Sequence, residues 1–361
     1  MTLAVSIAQS GANNVTMRNR IINGAMMIDQ RNAGASVTPT TDSTYTLDRW
    51  SARLTAGSKY SVQQNAGSVT PPAGFTNYLG ATSLAATSLG STDYYLLQQS
   101  IEGFNFADLG WGTASASTVT LSFWVRSSLT GTFGGSLLNS ASNRSYPFTY
   151  SISSANTWTQ ISVTIAGDTT GTWIGATNGT GIRLYFGLGV GSTYSGTAGS
   201  WSGSTYLSAT GATSVVATNA ATFYITGVQL EEGTTATPFE QRLYGTELAL
   251  CYRYYYRLTT AGEATAPIIS GAYYNSTEFY GVVPFPVTMR SNPSLVAANG
   301  TDYWRIYRAA ASDYADNMST QASGKNGFVL YVNGNVSGTA GQAGWVESFN
   351  TSASIAFSSE L

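Results

Sequence analysis

The chemistry open to this chain rests first on its rings. Trp173, Tyr194, Trp201 and Tyr206 stand in glycine- and serine-rich surroundings, and Tyr273, Tyr274 and Tyr280 crowd a second stretch over residues 271–280. A sugar ring has an apolar C–H face that stacks on Trp or Tyr, while Asn, Gln and Asp take its hydroxyls. A shallow aromatic groove with a few convergent polar groups is the expected form. These seven residues are the candidate glycan-binding set. For each of them, packing in a core or at a subunit contact is the competing reading, because β-sheets favour Tyr and Thr for packing alone.

Other chemistries are poorly supplied. There is no histidine and one cysteine, Cys251. Ser-His-Asp and Cys-His catalysis, ordinary zinc sites and titration near neutrality are therefore excluded. No disulfide can form within the chain, and Cys251 reads as a small packed hydrophobe. A glycosidase needs two opposed carboxylates. Glu231, Glu232 and Glu240 are candidates, but turns, caps or pairing with Arg242 account for them equally well. Asp313, Asp316 and Asn317 read as a solvated loop rather than a metal site. The glycines of Gly187-Leu-Gly-Val-Gly191 lack a βαβ context and read as a strand end. No catalytic residue, metal ligand or cofactor is expected, and the chain is expected not to be an enzyme.

Charged residues make up 9% of the 361 residues and the net charge is −2, against roughly 25% charged in ordinary domains. Without a basic cluster there is no electrostatic footprint for nucleic acid. No run approaches the roughly 18 apolar residues that span a bilayer. Residues 1–8 carry no basic leader ahead of a long apolar core, so no secretory signal is expected.

The elements that must position the rings are strands. Ser117-Thr-Val-Thr-Leu-Ser-Phe-Trp-Val-Arg126 places Val119, Leu121, Phe123 and Val125 on one face, and residues 157–165, 181–190 and 223–230 read likewise. In the last of these, Tyr224, Thr226, Val228 and Leu230 are expected to alternate without interruption. Gly233 ends that strand and Pro238 turns the chain out. Residues 44–50 and 60–64 are further strands, with Trp50 in the core and Asp48 and Arg49 at its mouth. Asn23-Gly24 marks a turn. The stretch 191–212 is low in complexity, and its Trp201 must either fold back onto a sheet or face a ligand. Beyond the seam, Thr246 can cap a short helix over 247–252. Residues 254–257, 302–308, 327–332 and 352–357 read as strands, with Asn333-Gly334 as a hairpin-type turn. No fixed-length repeat is present. The chain is expected to be all-β: an N-terminal arm over 1–19, a jelly-roll sandwich over 20–242 and a smaller C-terminal β-sandwich over 246–361.

Two segments then carry a resemblance. Arg20-Ile-Ile-Asn-Gly-Ala-Met26 and Phe223-Tyr-Ile-Thr-Gly-Val-Gln-Leu230 look like the opening and closing strands of the carbohydrate-binding-module jelly roll. Met26 and Met27 stand where that family has Phe-Glu, and Thr226-Gly227 where it has an acidic pair, so the acids of the family's structural calcium site are missing. As a set, Asn23-Gly-Ala-Met-Met-Ile-Asp-Gln-Arg31, Tyr45-Thr-Leu-Asp-Arg-Trp50, Leu121-Ser-Phe-Trp-Val-Arg-Ser-Ser128, Gly227-Val-Gln-Leu-Glu-Glu-Gly233, Ala236-Thr-Pro-Phe-Glu-Gln-Arg242 and Cys251-Tyr-Arg-Tyr-Tyr255 resemble tail-fibre or receptor-binding proteins of tailed bacteriophages. The resemblance implies a virion protein, a homotrimer that meets the host surface; the aromatic loops make surface polysaccharide the expected partner there, and the position of the N-terminal arm makes it the expected docking peptide for other virion proteins. It supplies no catalytic residue. The alternative is a capsid-attached decoration or connector protein whose aromatics serve subunit contacts.

Overall fold

The computed structural model describes residues 17–259, 265 and 267–361. Most of the expected arm, residues 1–16, lies outside the described residues. The chain divides into two compact units, one made of the residues up to Tyr244 together with Leu361 and the other spanning Gly245–Glu360.

The strands of the first unit are β1 (Thr44–Leu47), β2 (Trp50–Leu54), β3 (Tyr60–Gln64), β4 (Leu79–Ser83), β5 (Tyr94–Glu102), β6 (Val119–Ser127) and β7 (Gly131–Asn139). They continue as β8 (Ser145–Ile152), β9 (Thr159–Ile165), β10 (Thr180–Val190), β11 (Ser195–Gly196), β12 (Ser208–Ala209) and β13 (Thr222–Glu232). A six-stranded sheet in the order β1-β2-β5-β10-β7-β8 faces a five-stranded sheet in the order β3-β4-β13-β6-β9. Alternation builds the interface between them. Val119, Leu121, Phe123 and Val125 of β6 point inward, and Leu184 and Phe186 of β10 answer from the other sheet. Trp50, Leu97, Phe133 and Phe223 complete the centre of this core. Fully burying a side chain of Leu or Phe size contributes about 1.5–3 kcal/mol. The result is a jelly-roll sandwich.

Strand β13 departs from uninterrupted alternation. It carries a bulge between Thr226 and Gln229, with Gly227 at φ +60°. Phe223 and Ile225 face the core before the bulge, and Val228 and Leu230 after it. The opening segment 20–31 is also not a strand. It runs beside β13 in turns, held by Arg20 N donating to Leu230 O at 2.9 Å and Val228 N donating to Gly24 O at 2.9 Å. The Asn23-Gly24 turn is present, with Asn23 at φ +58°.

The segments that carry the resemblance act on one another. The Asn23 amide donates to the carbonyls of Ile28 (2.8 Å) and Asp48 (3.0 Å). Trp50 Nε1 donates to Asn23 O at 3.1 Å, and Asp48 accepts from Gln30 N at 2.7 Å. At the far end, Gln229 Oε1 accepts from Glu240 N at 2.8 Å, and buried Glu231 accepts from Thr237 N at 2.8 Å. Glu240 in turn accepts from Asn19 N at 2.9 Å. These buried polar groups are satisfied by one another and pin the chain's entry to its exit.

The second unit opens with α1 (Tyr244–Tyr252), which starts ahead of the expected Thr246 cap, so Thr246 lies within the helix. Cys251 is buried there. Its strands are β14 (Tyr255–Thr259), β15 (Pro267–Tyr273), β16 (Phe279–Pro284), β17 (Ser294–Ala298) and β18 (Trp304–Arg308), then β19 (Ala311–Ala315), β20 (Asn317–Ser323), β21 (Gly327–Asn333), β22 (Ala343–Ser348) and β23 (Ser354–Ser358). A seven-stranded sheet, β19-β18-β22-β15-β16-β21-β20, packs against a three-stranded one, β14-β23-β17, over Trp304, Ile306, Phe328, Leu330 and Phe357. This is the smaller sandwich. Asn333-Gly334 does not close a hairpin: β21 pairs with β16 and β20. The tight hairpin lies instead at Ala309-Ala310, both at positive φ, between β18 and β19.

Candidate functional site

A pocket of about 400 Å³ opens on the side of the six-stranded sheet that faces away from the core. Period two selects its floor. On β2, Trp50 and Ala52 point into the core and Arg53 points out. On β5, Tyr95 and Leu97 point in while Tyr94 and Gln98 line the pocket. On β10, Leu184 and Phe186 point in while Arg183 and Tyr185 line it. The ladder sets Gln98 opposite Tyr185 and Arg183 opposite Leu138. The low-complexity loop forms the roof. Its Leu207 packs on Leu96, Leu138 and Tyr185, and Tyr194 meets Tyr94 edge to face at 5.7 Å. The short parallel pair β11–β12 holds that loop in shape.

Two guanidiniums reach the pocket and are held differently. Arg53 forms a two-pronged ion pair with Asp42, at 2.8 and 2.9 Å, and donates to Gln98 Oε1 at 2.6 Å. Burial pushes the Asp42 carboxyl up, but hydrogen bonds from Arg53 and from Leu54 N, with the charge of Arg53, outweigh it and hold Asp42 below the usual carboxylate range. Arg183 donates through Nη1 to Asn139 O (3.2 Å), Ser140 O (3.3 Å) and Ser142 Oγ (3.2 Å). Burial raises the Tyr185 phenol above its ordinary value, opposed by the charges of Arg53 and Arg183, so it stays a neutral donor and acceptor. No Asp or Glu lines the pocket. Leu361 also lines it and brings the terminal carboxylate, which with Asp42 offsets the charges of Arg53 and Arg183; the pocket can stack a ring and exchange hydrogen bonds.

Of the four aromatics singled out in the first unit, Tyr194 lines this pocket. Tyr206 sits between the pocket residues Thr205 and Leu207, with its ring pressed on Gly196, where an added Cβ would lie 2.2 Å from it. Trp173 and Trp201 lie elsewhere. They meet Trp111 in a three-indole cluster, with ring centroids 5.0 Å from Trp111 to each and 5.5 Å between them. Trp201 Nε1 donates to Ala166 O at 2.8 Å and Trp173 Nε1 to Asp168 Oδ2 at 3.1 Å. The loop therefore turns Trp201 back onto the sandwich, where it packs on the core. Asp168 is locked by Arg144 at 2.6 Å.

In the second unit Tyr273 is 1% exposed and donates to Asp313 Oδ2 at 2.8 Å. It is a core residue whose ring no ligand can reach. Tyr274 is 71% exposed and stands 4.9 Å from Tyr280, which stacks on Tyr331 at 5.3 Å. On the same outer face of the seven-stranded sheet, Trp345 stacks on Tyr307 at 5.1 Å beside a depression of about 330 Å³ lined by Pro267, Ile268 and Ser270. Sequence reasoning missed Tyr307, Tyr331 and Trp345. For the first two the signal was available: alternation places Tyr307 outward between inward Ile306 and its neighbours, and Tyr331 outward between Leu330 and Val332.

Asp313 is not in a solvated loop. It lies in β19 and accepts from Tyr273 and from Ser337 N at 2.8 Å. Among the described residues no group of three or more His, Cys, Asp or Glu could hold a metal. Where the chain's entry meets its exit, the Arg242 guanidinium already bridges the carbonyls of Asn19 and Ile21 and pairs with Glu240 at 2.9 Å. A fixed cation occupies that junction, and Met26 and Met27, which stand at the family's Phe-Glu positions, and Thr226 and Gly227, at its acidic pair, supply no carboxylate.

No protein-family profile and no curated protein matches the chain. Solved structures do. The enzymatically active domain of tailspike protein 4 of bacteriophage CBA120 aligns with TM-score 0.32 and 11% identity, over 60% of this chain and 22% of that one. TmCBM61 in complex with β-1,4-galactotriose aligns with TM-score 0.30 and 10% identity, over 60% and 99%. A family 11 carbohydrate-binding module from Clostridium thermocellum, in complex with a β-1,3-1,4-mixed-linked tetrasaccharide, aligns with TM-score 0.29 and 12% identity, over 56% and 98%.

Proposed function

We propose that the chain is an adhesive protein that binds glycan through the pocket roofed by the 191–212 loop. The observation that carries this reading is the pocket's lining. Aromatic edges of Tyr94 and Tyr194, the amide of Gln98 and the phenol of Tyr185 converge on about 400 Å³, with no Asp or Glu side chain among the lining residues. Such a surface grips a polyhydroxylated ring by stacking and hydrogen bonding, and the missing acid pair speaks for binding without hydrolysis. In the finer form of the proposal the protein is a bacteriophage virion fibre, a homotrimer that meets host surface polysaccharide during adsorption. The motif set over residues 20–257 supports that form. Weak sites repeated on a trimer gain strongly by avidity.

Binding is tested with the purified full chain on a printed glycan array, followed by saturation-transfer NMR on the hits. Saturable binding weakened by Tyr194→Ala is expected; no binding to any glycan ends the proposal. Light scattering that gives a monomer mass at micromolar concentration ends its trimeric form. One observation favours the alternative of a capsid decoration or connector. Val282 (62% exposed), Tyr274 and Trp345 leave an apolar outer face on the second unit, of the kind that meets protein. Electron microscopy of virions with a labelled chain separates the two placements.

A further inference from the structure

In the second unit, alternation gives the outer face of the seven-stranded sheet a definite relief. The central strand β15 turns Ile268, Ser270 and Ala272 outward and buries Ile269 and Tyr273. On one side of it, Trp345 of β22 sits directly opposite Ser270 and stacks on Tyr307 of β18. On the other, Tyr280 of β16 sits directly opposite Ala272 and stacks on Tyr331 of β21. Two stacked pairs of rings therefore wall a trough whose floor is one strand wide. Neighbouring strands lie about 4.8 Å apart, so β22 and β16 run about 9.5 Å from one another. Tyr274, next in the outward series of β15, is exposed and stands 4.9 Å from Tyr280 at one end. The depression lined by Pro267, Ile268 and Ser270 lies at the other.

This relief decides what fits. An α-helix with its side chains is about 10–12 Å across, too thick for a floor one strand wide. An added strand needs an open edge, and β15 is paired on both sides. A saccharide chain is one ring thick and brings C–H faces to the aromatic walls. Its hydroxyls find an acceptor at the Tyr274 end. There Glu278 Oε2 accepts from Asn275 Nδ2 at 2.8 Å and from the Tyr280 phenol at 3.2 Å, while Oε1 has no donor among the described residues. At the opposite wall Arg305 lies over the Tyr307 ring at 4.6 Å and is paired with Glu347. We infer that the trough is a second saccharide site, which takes a linear neutral glycan along β15. It lies on a different unit from the pocket and does not depend on the pocket binding anything.

The test uses the full-length protein carrying Tyr194→Ala, which disables the pocket. Hexaoses of β-1,4-glucan, β-1,4-xylan, β-1,4-mannan and α-1,6-glucan are titrated by calorimetry, each beside its monosaccharide. At least one hexaose should bind 10-fold or more tightly than its monosaccharide, because the trough meets several rings at once. Trp345→Ala or Tyr280→Ala, added to Tyr194→Ala, should each weaken that hexaose about 10-fold, the size of one lost aromatic stack. Ser270→Gln fills the floor without removing a ring and should weaken it as much, so the result does not hang on how the ring variants fold. Hexaose binding that disappears in Tyr194→Ala alone and is untouched by the three trough variants overturns the inference and leaves the pocket reading standing. No hexaose bound with the pocket disabled also overturns it. So does a Ser270→Gln protein that loses oligomer mass in light scattering while keeping its hexaose affinity, because the face is then a contact between copies of the chain.

Discussion

Trp345 and Tyr307 lie directly opposite one another on β22 and β18, rings stacked at 5.1 Å and 27°, with Trp345 47% exposed. Trp304, three residues before Tyr307 on the same strand, is fully buried on the other face. One strand thus offers an aromatic surface to solvent and anchors a core.

The two tryptophans should separate cleanly on mutation. Trp304→Ala removes a buried ring and is expected to cost about 3–5 kcal/mol. Trp345→Ala leaves an exposed stack and is expected to cost under about 1.5 kcal/mol, the stacking increment of an aromatic pair. Urea denaturation followed by circular dichroism measures both. A loss of several kcal/mol for Trp345→Ala would mean that the outer face is structural.

Gly24 makes a second prediction. An added Cβ there would lie 2.2 Å from the Val228 carbonyl oxygen, closer than the backbone can tolerate. Gly24→Ala must push the opening segment off β13 and break the bond between Val228 N and Gly24 O. It is expected to cost about 2 kcal/mol or more, beyond the usual loss for a surface change. Gly34→Ala is the contrast: nothing lies within 4 Å of its Cβ, and only the φ of +81° is penalised, by about 1 kcal/mol. Denaturation midpoints of the two variants rank them, and a reversed order would refute the close approach.

That junction marks where the fold was legible and where it was not. The strands at 117–126 and 181–190 were readable because each buries one face, which writes a period of two into the chain. The bulge in β13 was not readable. Tyr224, Thr226, Val228 and Leu230 alternate in sequence, and only the two-against-one pairing at Thr226–Gln229 brings Phe223 and Ile225 inward on one side and Val228 and Leu230 on the other. The Ala309-Ala310 turn was invisible for a different reason: alanine is not a residue that favours positive φ. The pocket depends on partners far apart in sequence, β2, β5, β10 and the 191–212 loop, so no local pattern announces it. Tyr194 could be singled out by its loop; Arg183 could not, because on β10 it is one outward residue among several.

The chain's stability should be flat from about pH 5 to 9 and fall on both sides. No histidine is present to titrate in between. For Asp42 burial acts upward but hydrogen bonds and charge from Arg53 prevail, and for Asp168 the same is true with Arg144, so both folded carboxyls sit below their unfolded value. Their contribution is present above the unfolded value of about 3.9 and is lost as pH falls through the folded one. Burial raises the phenols of Tyr60, Tyr150 and Tyr185 in the fold. Their contribution is present below the unfolded value of about 10 and is lost as pH rises toward the folded one, because only the unfolded chain releases those protons. Urea midpoints taken at unit steps of pH check this, and a pronounced slope between pH 5 and 8 would contradict it.

The last prediction sets Trp201 against Tyr194, two aromatics of one loop with different work. Trp201 packs on Trp111, Trp173 and Tyr146, and its indole N–H is taken by Ala166 O. Trp201→Ala should therefore cost about 3 kcal/mol of stability, at the lower end for a tryptophan because the ring is only half-buried. Molecules that remain folded should bind glycan with unchanged affinity, since Trp201 does not line the pocket. Tyr194 lines the pocket and touches Tyr94 at its mouth. Tyr194→Ala should cost about 1 kcal/mol or less in folding, comparable to one aromatic pair, but should lower glycan affinity about 10-fold. Thermal denaturation and glycan titration on the same two preparations read both effects. If Trp201→Ala weakens binding while leaving stability intact, the roles assigned to the two rings are reversed.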